Sequence, residues 1–297
     1  MITHISTISE FNNIFGAKTL NPLISVVDFS AIEMPSFEGH FTTSFYSVSI
    51  KSCGCGELRY GRNRYDYQED TMLFFAPNQL IGIEEGETQS ENRSVGLFFH
   101  PDLLRGTHLS SKMKDYHYFS YDVNEALHLS TDERESIRET FEKLSVELAR
   151  PIDKHTKSIL ASALELLLNY CQRFYDRQFI TREVLNQDML TRFEAILNDY
   201  FNSGVQQSEG LPTVKYCAEK LSLSPNYMSD MIRRETGCSA QEHIQTLIIE
   251  RAKMQLTTTK KSVAEIAYSL GFEYPQYFSR QFKKRTGMTP NEYRTMN

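Results

Sequence analysis

Short apolar runs alternate with turn clusters over residues 20–120. The runs at 44–50, 71–75 and 95–99 are rich in Val, Ile, Tyr and Phe, which favour strands. Glycine-bearing or proline-bearing clusters bound them, for example at 53–56 and 76–79. Many short strands at this spacing predict an antiparallel β-barrel or sandwich.

From residue 131 the apolar spacing becomes that of a helix. Ser130 followed by acids is typical of a helix start, and Ile137, Phe141, Leu144 and Leu148 then recur at helical intervals. Pro151 ends this helix. The pattern predicts a second helix over 153–177 and a third over 185–200.

A polar segment at 202–210 contains two glycines and is typical of a linker. We therefore predict an α+β chain in four parts. They are a β-barrel domain at 1–130, a helical dimerisation or connecting region at 131–201, the linker at 202–210 and an all-α domain at 211–297.

The all-α part contains one pattern twice. The positions that match at an offset of 49 residues are Val214, Ala218 and Leu221 with Val263, Ala267 and Leu270. Those that match at an offset of 50 are Tyr227, Ser229, Thr236, Gly237 and Glu242 with Tyr277, Ser279, Thr286, Gly287 and Glu292. The extra residue falls in a turn, where an insertion costs least. A repeated two-helix unit predicts two helix-turn-helix units joined by a long helix over 239–256.

Each copy has the local signals of such a unit. Gly271 suits a left-handed turn residue, and Ser224 before Pro225 predicts the start of the second helix. The apolar residues that this helix is expected to bury are Met228, Met231 and Ile232 in copy one and Phe278 and Phe282 in copy two.

The exposed positions of the second helices predict the residues that face DNA. Those in the N-terminal half of a recognition helix read bases, and basic residues at its far end meet phosphates. The predicted base readers are Asn226, Ser229, Asp230, Gln276, Ser279 and Arg280. The predicted phosphate contacts are Arg233, Arg234, Thr236, Lys283, Lys284 and Arg285.

The distribution of charge along the chain agrees with a C-terminal part that faces DNA. The whole chain has a formal charge of −6, but residues 211–297 carry 13 Lys or Arg against 8 Asp or Glu. The C-terminal part therefore has a balance of +5 and the rest a balance of −11. A basic end on an acidic body suits a protein that meets phosphate with its C-terminal part only.

Residues 211–297 resemble the AraC/XylS family of bacterial transcription regulators. The resemblance rests on the runs IAYSLGF at 266–272, YFSRQFKK at 277–284 and TGMTPNEYR at 286–294. It implies that both second helices contact bases of double-stranded DNA, which adds Pro275 to the base readers. It also implies activation beside RNA polymerase. Asp230 departs from the family, which commonly has Arg there; a carboxylate repels phosphate but accepts from cytosine.

The strand-rich part, with Tyr60-Gly61 and the runs at 74–77 and 98–101, looks like the cupin-type ligand-sensing barrel often joined to this module. A small-molecule effector is therefore expected there. Family members place their dimer contact where the 153–177 stripe falls, which indicates a homodimer. The residues of that stripe are either an intradomain core or a dimer seam: Leu160, Leu164, Leu167, Cys171 and Phe174.

The other chemistry-bearing residues indicate no enzyme. Tyr227 and Tyr277 are expected in the core, and His100 as a hydrogen-bonded strand end rather than a metal ligand. Cys53 and Cys55 form a C-x-C pair that fits neither a zinc site nor a disulfide framework, so we expect reduced thiols, no metal and no cofactor. No apolar run is long enough to span a bilayer, and the expected location is the cytoplasm. The alternatives are a metal-dependent cupin enzyme or DNA-repair alkyl transferase targeted by the C-terminal part, and a regulator without a ligand.

Overall fold

The computed structural model describes residues 2–32, 39–51, 58–60, 63–65, 71–83, 94–122, 125–181 and 183–296. The chain divides into two compact units, Met1–Thr181 and Arg182–Asn297, called here the N-terminal and C-terminal units. The first contains strands and helices and the second only helices, as the apolar patterns predict. Among the described helices, none combines the length and hydropathy that crossing a bilayer requires.

The described strands of the N-terminal unit form two five-stranded sheets. The strands are β1 (Ile2–Ile5), β2 (Ile24–Asp28), β3 (Gly39–Thr43), β4 (Tyr46–Lys51), β5 (Leu58–Tyr60), β6 (Asn63–Tyr65), β7 (Thr71–Phe75), β8 (Ile81–Ile83), β9 (Val95–Phe99) and β10 (Leu127–His128). One sheet has the order β1-β3-β8-β5-β6 and the other β10-β7-β4-β9-β2. The predicted strands at 71–75 and 95–99 coincide with β7 and β9.

Neither sheet closes on itself within the described residues. The outer strands are β1 and β6 in one sheet and β10 and β2 in the other, so the structure has two open sheets where the sequence predicts a barrel. Pairing is antiparallel except between β1 and β3, which run parallel.

Side chains of both sheets meet in one apolar core, together with helix α1 (Ile8–Ile14). Its members include Ile5, Phe41 and Ile81 from one sheet, Val27, Leu73, Phe75 and Phe98 from the other, and Ile8 and Phe11 from α1. Strand β7 is buried along its whole length, because Leu73 and Phe75 face this core and the residues that alternate with them are covered on the other face of the sheet. There Phe74 packs against Tyr118, with ring centroids 4.6 Å apart, and against Tyr175, at 5.9 Å.

The described residues of the N-terminal unit form three further α-helices. They are α2 (His108–Lys112), α3 (Thr131–Leu148) and α4 (Thr156–Thr181). The start of α3 is as predicted: Ser130 Oγ accepts from the Glu133 backbone N–H, and the Glu133 carboxylate accepts from the Ser130 N–H. Helix α4 continues one turn beyond the predicted end at residue 177.

The apolar stripe of α4 is core. Leu160, Leu164, Leu167 and Cys171 are fully buried and Phe174 is 6% exposed, so none of the five offers a surface to a second molecule. Their assignment as a dimer seam is therefore corrected to the intradomain alternative. Burial also raises the pKa of the Cys171 thiol, which keeps it protonated and unreactive.

The C-terminal unit consists of eight helices in its described residues. They are α5 (Glu183–Asn202), α6 (Gln206–Glu209), α7 (Val214–Leu221), α8 (Pro225–Thr236), α9 (Ala240–Thr258), α10 (Val263–Ser269), α11 (Pro275–Thr286) and α12 (Pro290–Met296). The long helix predicted between the two copies is α9.

The segment at 202–210 is folded and does not separate two domains. Gln206 is buried, and its side-chain amide donates to the backbone oxygens of Phe201 and Ser269. The Tyr200 hydroxyl donates to the Gly210 oxygen at 3.0 Å. Helix α5 packs against α7 and α8, so the boundary lies at residue 181 and α5 belongs with the all-α part. Composition predicts a linker here because it does not show the backbone partners of these polar groups, such as the distant Ser269 oxygen.

Among the described glycines of this unit, Gly271 lies closest to another backbone segment. Its φ is +91°, and a Cβ placed on it would lie 2.8 Å from the Gly210 oxygen and 2.9 Å from the Gln206 oxygen. Gly287 has a similar φ of +80°, but a Cβ there would meet nothing within 4 Å. Both glycines adopt the left-handed conformation, whereas only Gly271 also faces another backbone segment.

We expect Gly271→Ala to cost more stability than Gly287→Ala. Strain at positive φ should cost both variants about 1 kcal/mol, and the backbone clash should add roughly 1–3 kcal/mol to Gly271→Ala alone. Urea unfolding followed by circular dichroism measures both values. Equal losses would contradict a tight contact between Gly271 and the 206–210 segment.

Candidate nucleic-acid interface

The first copy of the repeat consists of α7, a turn and α8. Thr213 caps α7, and Ser222 takes the left-handed conformation with φ 58°. Ser224 Oγ accepts from the Tyr227 N–H, Pro225 occupies the first turn of α8, and Gly237 ends the helix at φ 74°. The predicted start of the helix is therefore confirmed.

The second copy repeats this geometry with α10 and α11. Ser262 and Glu265 form a capping box at the start of α10. Gly271 takes the left-handed position that Ser222 holds in copy one, as predicted. Pro275 opens α11 and Gly287 ends it. The second helices of the two copies, α8 and α11, are called here the reading helices. Both are 12 residues long.

One face of each second helix is core and the opposite face is open. Met228, Met231 and Ile232 are buried in α8, and Phe278 and Phe282 in α11, as the pattern predicts. Ala218 and Ala267 are fully buried in the first helices. A small side chain at these positions allows two helices to cross closely.

The repeat extends into a third helix in each copy. Ser239 Oγ accepts from the Glu242 N–H at the start of α9, while Glu242 Oε2 accepts from the Ser239 N–H. Thr289 and Glu292 exchange the same two bonds at the start of α12. The hydrogen bonds from Ser239 lower the pKa of Glu242, and those from Thr289 lower the pKa of Glu292. Each copy is therefore a three-helix unit, with α9 shared as the connection.

The structure places most predicted base readers on the open faces. Asn226 is exposed at the first turn of α8, and Gln276 and Arg280 are exposed on α11. Ser229, Asp230, Pro275 and Ser279 are partly exposed. The hydroxyl of Ser229 donates to the Pro225 oxygen at 2.7 Å, which leaves its lone pairs available as acceptors.

The predicted phosphate contacts divide into two groups. The basic side chains Arg233, Arg234, Lys283 and Lys284 are exposed toward the ends of the reading helices. Two residues are already used within the unit. The Arg285 guanidinium donates to Gln245 Oε1 at 2.6 Å and Thr246 Oγ1 at 3.1 Å, which ties α11 to α9. The Thr236 hydroxyl bonds backbone groups at the end of α8.

The two reading helices differ in charge. Helix α11 carries Arg280, Lys283, Lys284 and Arg285 and no acidic residue. Helix α8 balances Arg233 and Arg234 against Asp230 and Glu235. Positive charge is therefore concentrated on the second helix of copy two.

Tyr277 is the residue that the apolar pattern assigned wrongly. Tyr227 is 6% exposed, as expected for a core residue, but Tyr277 at the equivalent position is 43% exposed. The two copies share their sequence pattern here, so the pattern does not predict that Tyr277 is exposed. The sign of it in the sequence is that copy two has larger core residues, Phe278 and Phe282.

Other chemistry-bearing residues have local roles. His100 follows β9, and its Nδ1 accepts from the Asp102 N–H at 3.2 Å, which confirms the expected hydrogen-bonded strand end. Burial raises the pKa of the Cys217 thiol to about 11. Within the described residues, no three His, Cys, Asp or Glu side chains group as metal ligands. Cys53 and Cys55 lie outside the described residues.

Comparison with known proteins bears on the C-terminal unit. A helix-turn-helix domain family matches residues 217–296. The arabinose operon regulatory protein of Escherichia coli is 38% identical over 77 residues, which are 26% of this chain and 26% of that protein. The C-terminal unit therefore contains a helix-turn-helix domain that is similar to part of this arabinose regulator.

Two further relatives show how far the similarity extends. The C-terminal domain of the response regulator yesN from Fusobacterium nucleatum is 31% identical, and the match covers 34% of this chain and 96% of that domain with a TM-score of 0.30. Histidine kinase P4 of Formosa agariphila is 24% identical over 239 residues, which are 76% of this chain and 16% of the kinase. The chain spans about a quarter of the length of the arabinose regulator that it matches.

Proposed function

We propose that this protein is a DNA-binding transcription regulator of the AraC/XylS family, and that it reads two successive major-groove segments on one face of a duplex, with α8 in one and α11 in the other. The carrying observation is the duplicated unit itself: two reading helices of equal length, each with one open polar face, joined by one continuous helix. Helix α9 has 19 residues and is therefore about 28 Å long. Successive turns of one major groove lie about 34 Å apart, a comparable distance.

Within this arrangement the two helices have different tasks. The exposed basic residues of α11 supply most of the attraction to phosphate, and Arg280 and Gln276 read bases in the same groove. Helix α8 has no net charge, and Asn226, Ser229 and Asp230 contribute discrimination more than affinity. Asp230 would accept a hydrogen bond from cytosine and would disfavour other bases.

We expect Arg280→Ala and Lys284→Ala to weaken DNA binding in different ways. Loss of a base contact should cost about 1–3 kcal/mol on the specific site and relax specificity. Loss of a phosphate contact should weaken binding to all duplexes alike and reduce the slope of log affinity against log salt by about one. Fluorescence anisotropy on a mapped site and on random duplex, over a salt series, measures both.

Lys114→Ala is the charge-matched control, because Lys114 is an exposed lysine of the N-terminal unit. It should leave the salt slope unchanged. An equal loss on specific and random duplex for Arg280→Ala would contradict base reading by Arg280. A salt slope that does not change in Lys284→Ala would contradict its phosphate contact.

We also propose that the regulator is a homodimer through the outer face of α3 and α4. A groove of about 530 Å³ between these helices is lined by Val146 and Ile159, which are 58% and 46% exposed. Acids and bases line the same groove, among them Glu142 and Lys143, so a second copy related by a two-fold axis could pair them. Leu166 lies two turns beyond Ile159 on the same outer face of α4 and is 45% exposed.

The double variant Ile159→Glu, Leu166→Glu should therefore shift the protein from dimer to monomer, since it places two charges on the outer apolar face of α4. Sedimentation equilibrium measures the dissociation constant. Ile180→Glu is the matched control, because Ile180 lies on the same helix, is 70% exposed and is outside the groove. A dimer that persists in the double variant with unchanged affinity would exclude this face.

The N-terminal unit is proposed as a cupin-like sensor of a small molecule, and the regulator as an activator that acts on adjacent RNA polymerase. The family resemblance supports both roles. An interior space beside Tyr118, Tyr121 and Tyr175 has only about 10 Å³, room for roughly one water molecule. An effector acting there would have to bind a more open state more tightly than this one, which is how binding shifts a conformational equilibrium.

Transcription in vitro with purified RNA polymerase tests the two roles together. The regulator should raise transcription from a promoter that carries its site. A metabolite at about 100 times its dissociation constant should stabilise the protein by about 2.7 kcal/mol in thermal unfolding and change the transcript level further. A fall in transcript on adding the protein would make it a repressor. If no metabolite fraction of a cell extract alters either quantity, the N-terminal unit is not a sensor.

A further inference from the structure

Tyr277 lies on the open face of α11, three residues before Arg280. The Arg280 guanidinium carbon is 5.3 Å from the centroid of the Tyr277 ring, a distance at which a cation is attracted to an aromatic face. Both side chains are solvent-exposed in part or whole, so the contact forms on the surface that is proposed to face DNA.

The Tyr277 ring is itself held on two sides. The side-chain amide of Gln281 donates to the Tyr277 hydroxyl at 2.6 Å. The ring of Phe272, which is buried, lies 6.1 Å from the Tyr277 ring, centroid to centroid. A turn residue and a residue of the next helical turn therefore fix the ring against which Arg280 rests.

An exposed arginine otherwise samples many rotamers and loses that freedom when it binds a base. Arginine carries about 2 kcal/mol of rotamer entropy, and its planar fork must meet a guanine edge in one orientation. A fixed aromatic ring under the guanidinium restricts these rotamers before DNA arrives. Less freedom then remains to be lost on binding.

Copy one has no equivalent arrangement. Its tyrosine, Tyr227, is buried in the core, and the positions that correspond to Arg280 and Gln281 are Asp230 and the buried Met231. The cluster of Tyr277, Arg280 and Gln281 is thus a property of α11 and not of the repeated fold. A purely structural tyrosine would be expected to keep the same burial in both copies.

We propose that Tyr277 is a positioning residue that presents the Arg280 guanidinium for base recognition, with Gln281 and Phe272 holding its ring. The proposal rests on the proposed base-reading role of Arg280. It makes discrimination at one base pair depend on a side chain that need not touch that base.

The test is a double-mutant cycle between Tyr277→Leu and Arg280→Ala, measured by anisotropy on the mapped site and on duplexes with each base pair exchanged. The base pair read by Arg280 is the one at which Arg280→Ala abolishes discrimination. In the native background, Tyr277→Leu should reduce discrimination at that base pair about 2–5-fold, the range for an exposed cation–π contact. In the Arg280→Ala background, Tyr277→Leu should have no further effect.

Tyr277→Phe and Gln281→Leu separate the ring from its hydroxyl. Tyr277→Phe keeps the aromatic face and should lose less than Tyr277→Leu, and Gln281→Leu should match Tyr277→Phe. These two milder variants also carry the test if Tyr277→Leu lowers the melting temperature of the protein. Rescue by the phenylalanine variant is not expected from a residue that acts through its hydroxyl on DNA.

Each other result has a distinct meaning. If Arg280→Ala retains full discrimination at every base pair, the base-reading role of Arg280 fails and the proposed function must be revised. If Arg280→Ala loses discrimination while Tyr277→Leu retains it, the positioning role is overturned. If Tyr277→Leu weakens binding equally in both backgrounds, Tyr277 contacts DNA independently, and the positioning role is overturned as well.

Discussion

Helix α9 connects the two copies of the repeat, and the burial of its apolar stripe constrains how the reading helices can be arranged. Ile244, Ile248, Ala252 and Leu256 recur at helical spacing and are buried. The helix packs against α8 of copy one and against α10 and α12 of copy two. Rotating either copy about α9 would expose part of this stripe, at about 25 cal/mol for each Å² of apolar surface returned to water. The separation of α8 and α11 is therefore set by core packing.

Polar and backbone contacts reinforce that constraint on two sides of the C-terminal unit. Arg285 ties the end of α11 to α9 through Gln245 and Thr246. The segment at 206–210 ties the turn of copy two to α5, which in turn packs against copy one. Gly271 is required where the two backbones approach, because any side chain would collide with the Gly210 oxygen. A segment with the composition of a linker thus acts as part of the scaffold.

The repeat conserves the scaffold and varies the surface. Alanine at the helix crossing, the capping residues of the third helices and the left-handed turn position occur in both copies because each serves backbone geometry. The open faces differ, with a neutral α8 and a basic α11. Copy two also fills its core with phenylalanines, whose rings pack 5.2 Å apart for Phe272 and Phe278. Tyr277 is left outside that core, beside Arg280, while Tyr227 is enclosed.

Features that depend on local periodicity and capping were predictable from the order of the amino acids. These features are the helices α3, α8, α9 and α11, the N-terminal caps of α3 and α8, the strands β7 and β9 and the buried face of each reading helix, because these follow from residues a few positions apart. Features that depend on distant partners emerged only when the elements were placed in space. These are the open sheets with a parallel β1–β3 pair, the burial of the α4 stripe, the packing of 206–210 against Gly271 and the exposure of Tyr277. Each of these depends on which elements meet in space, which short-range patterns do not encode.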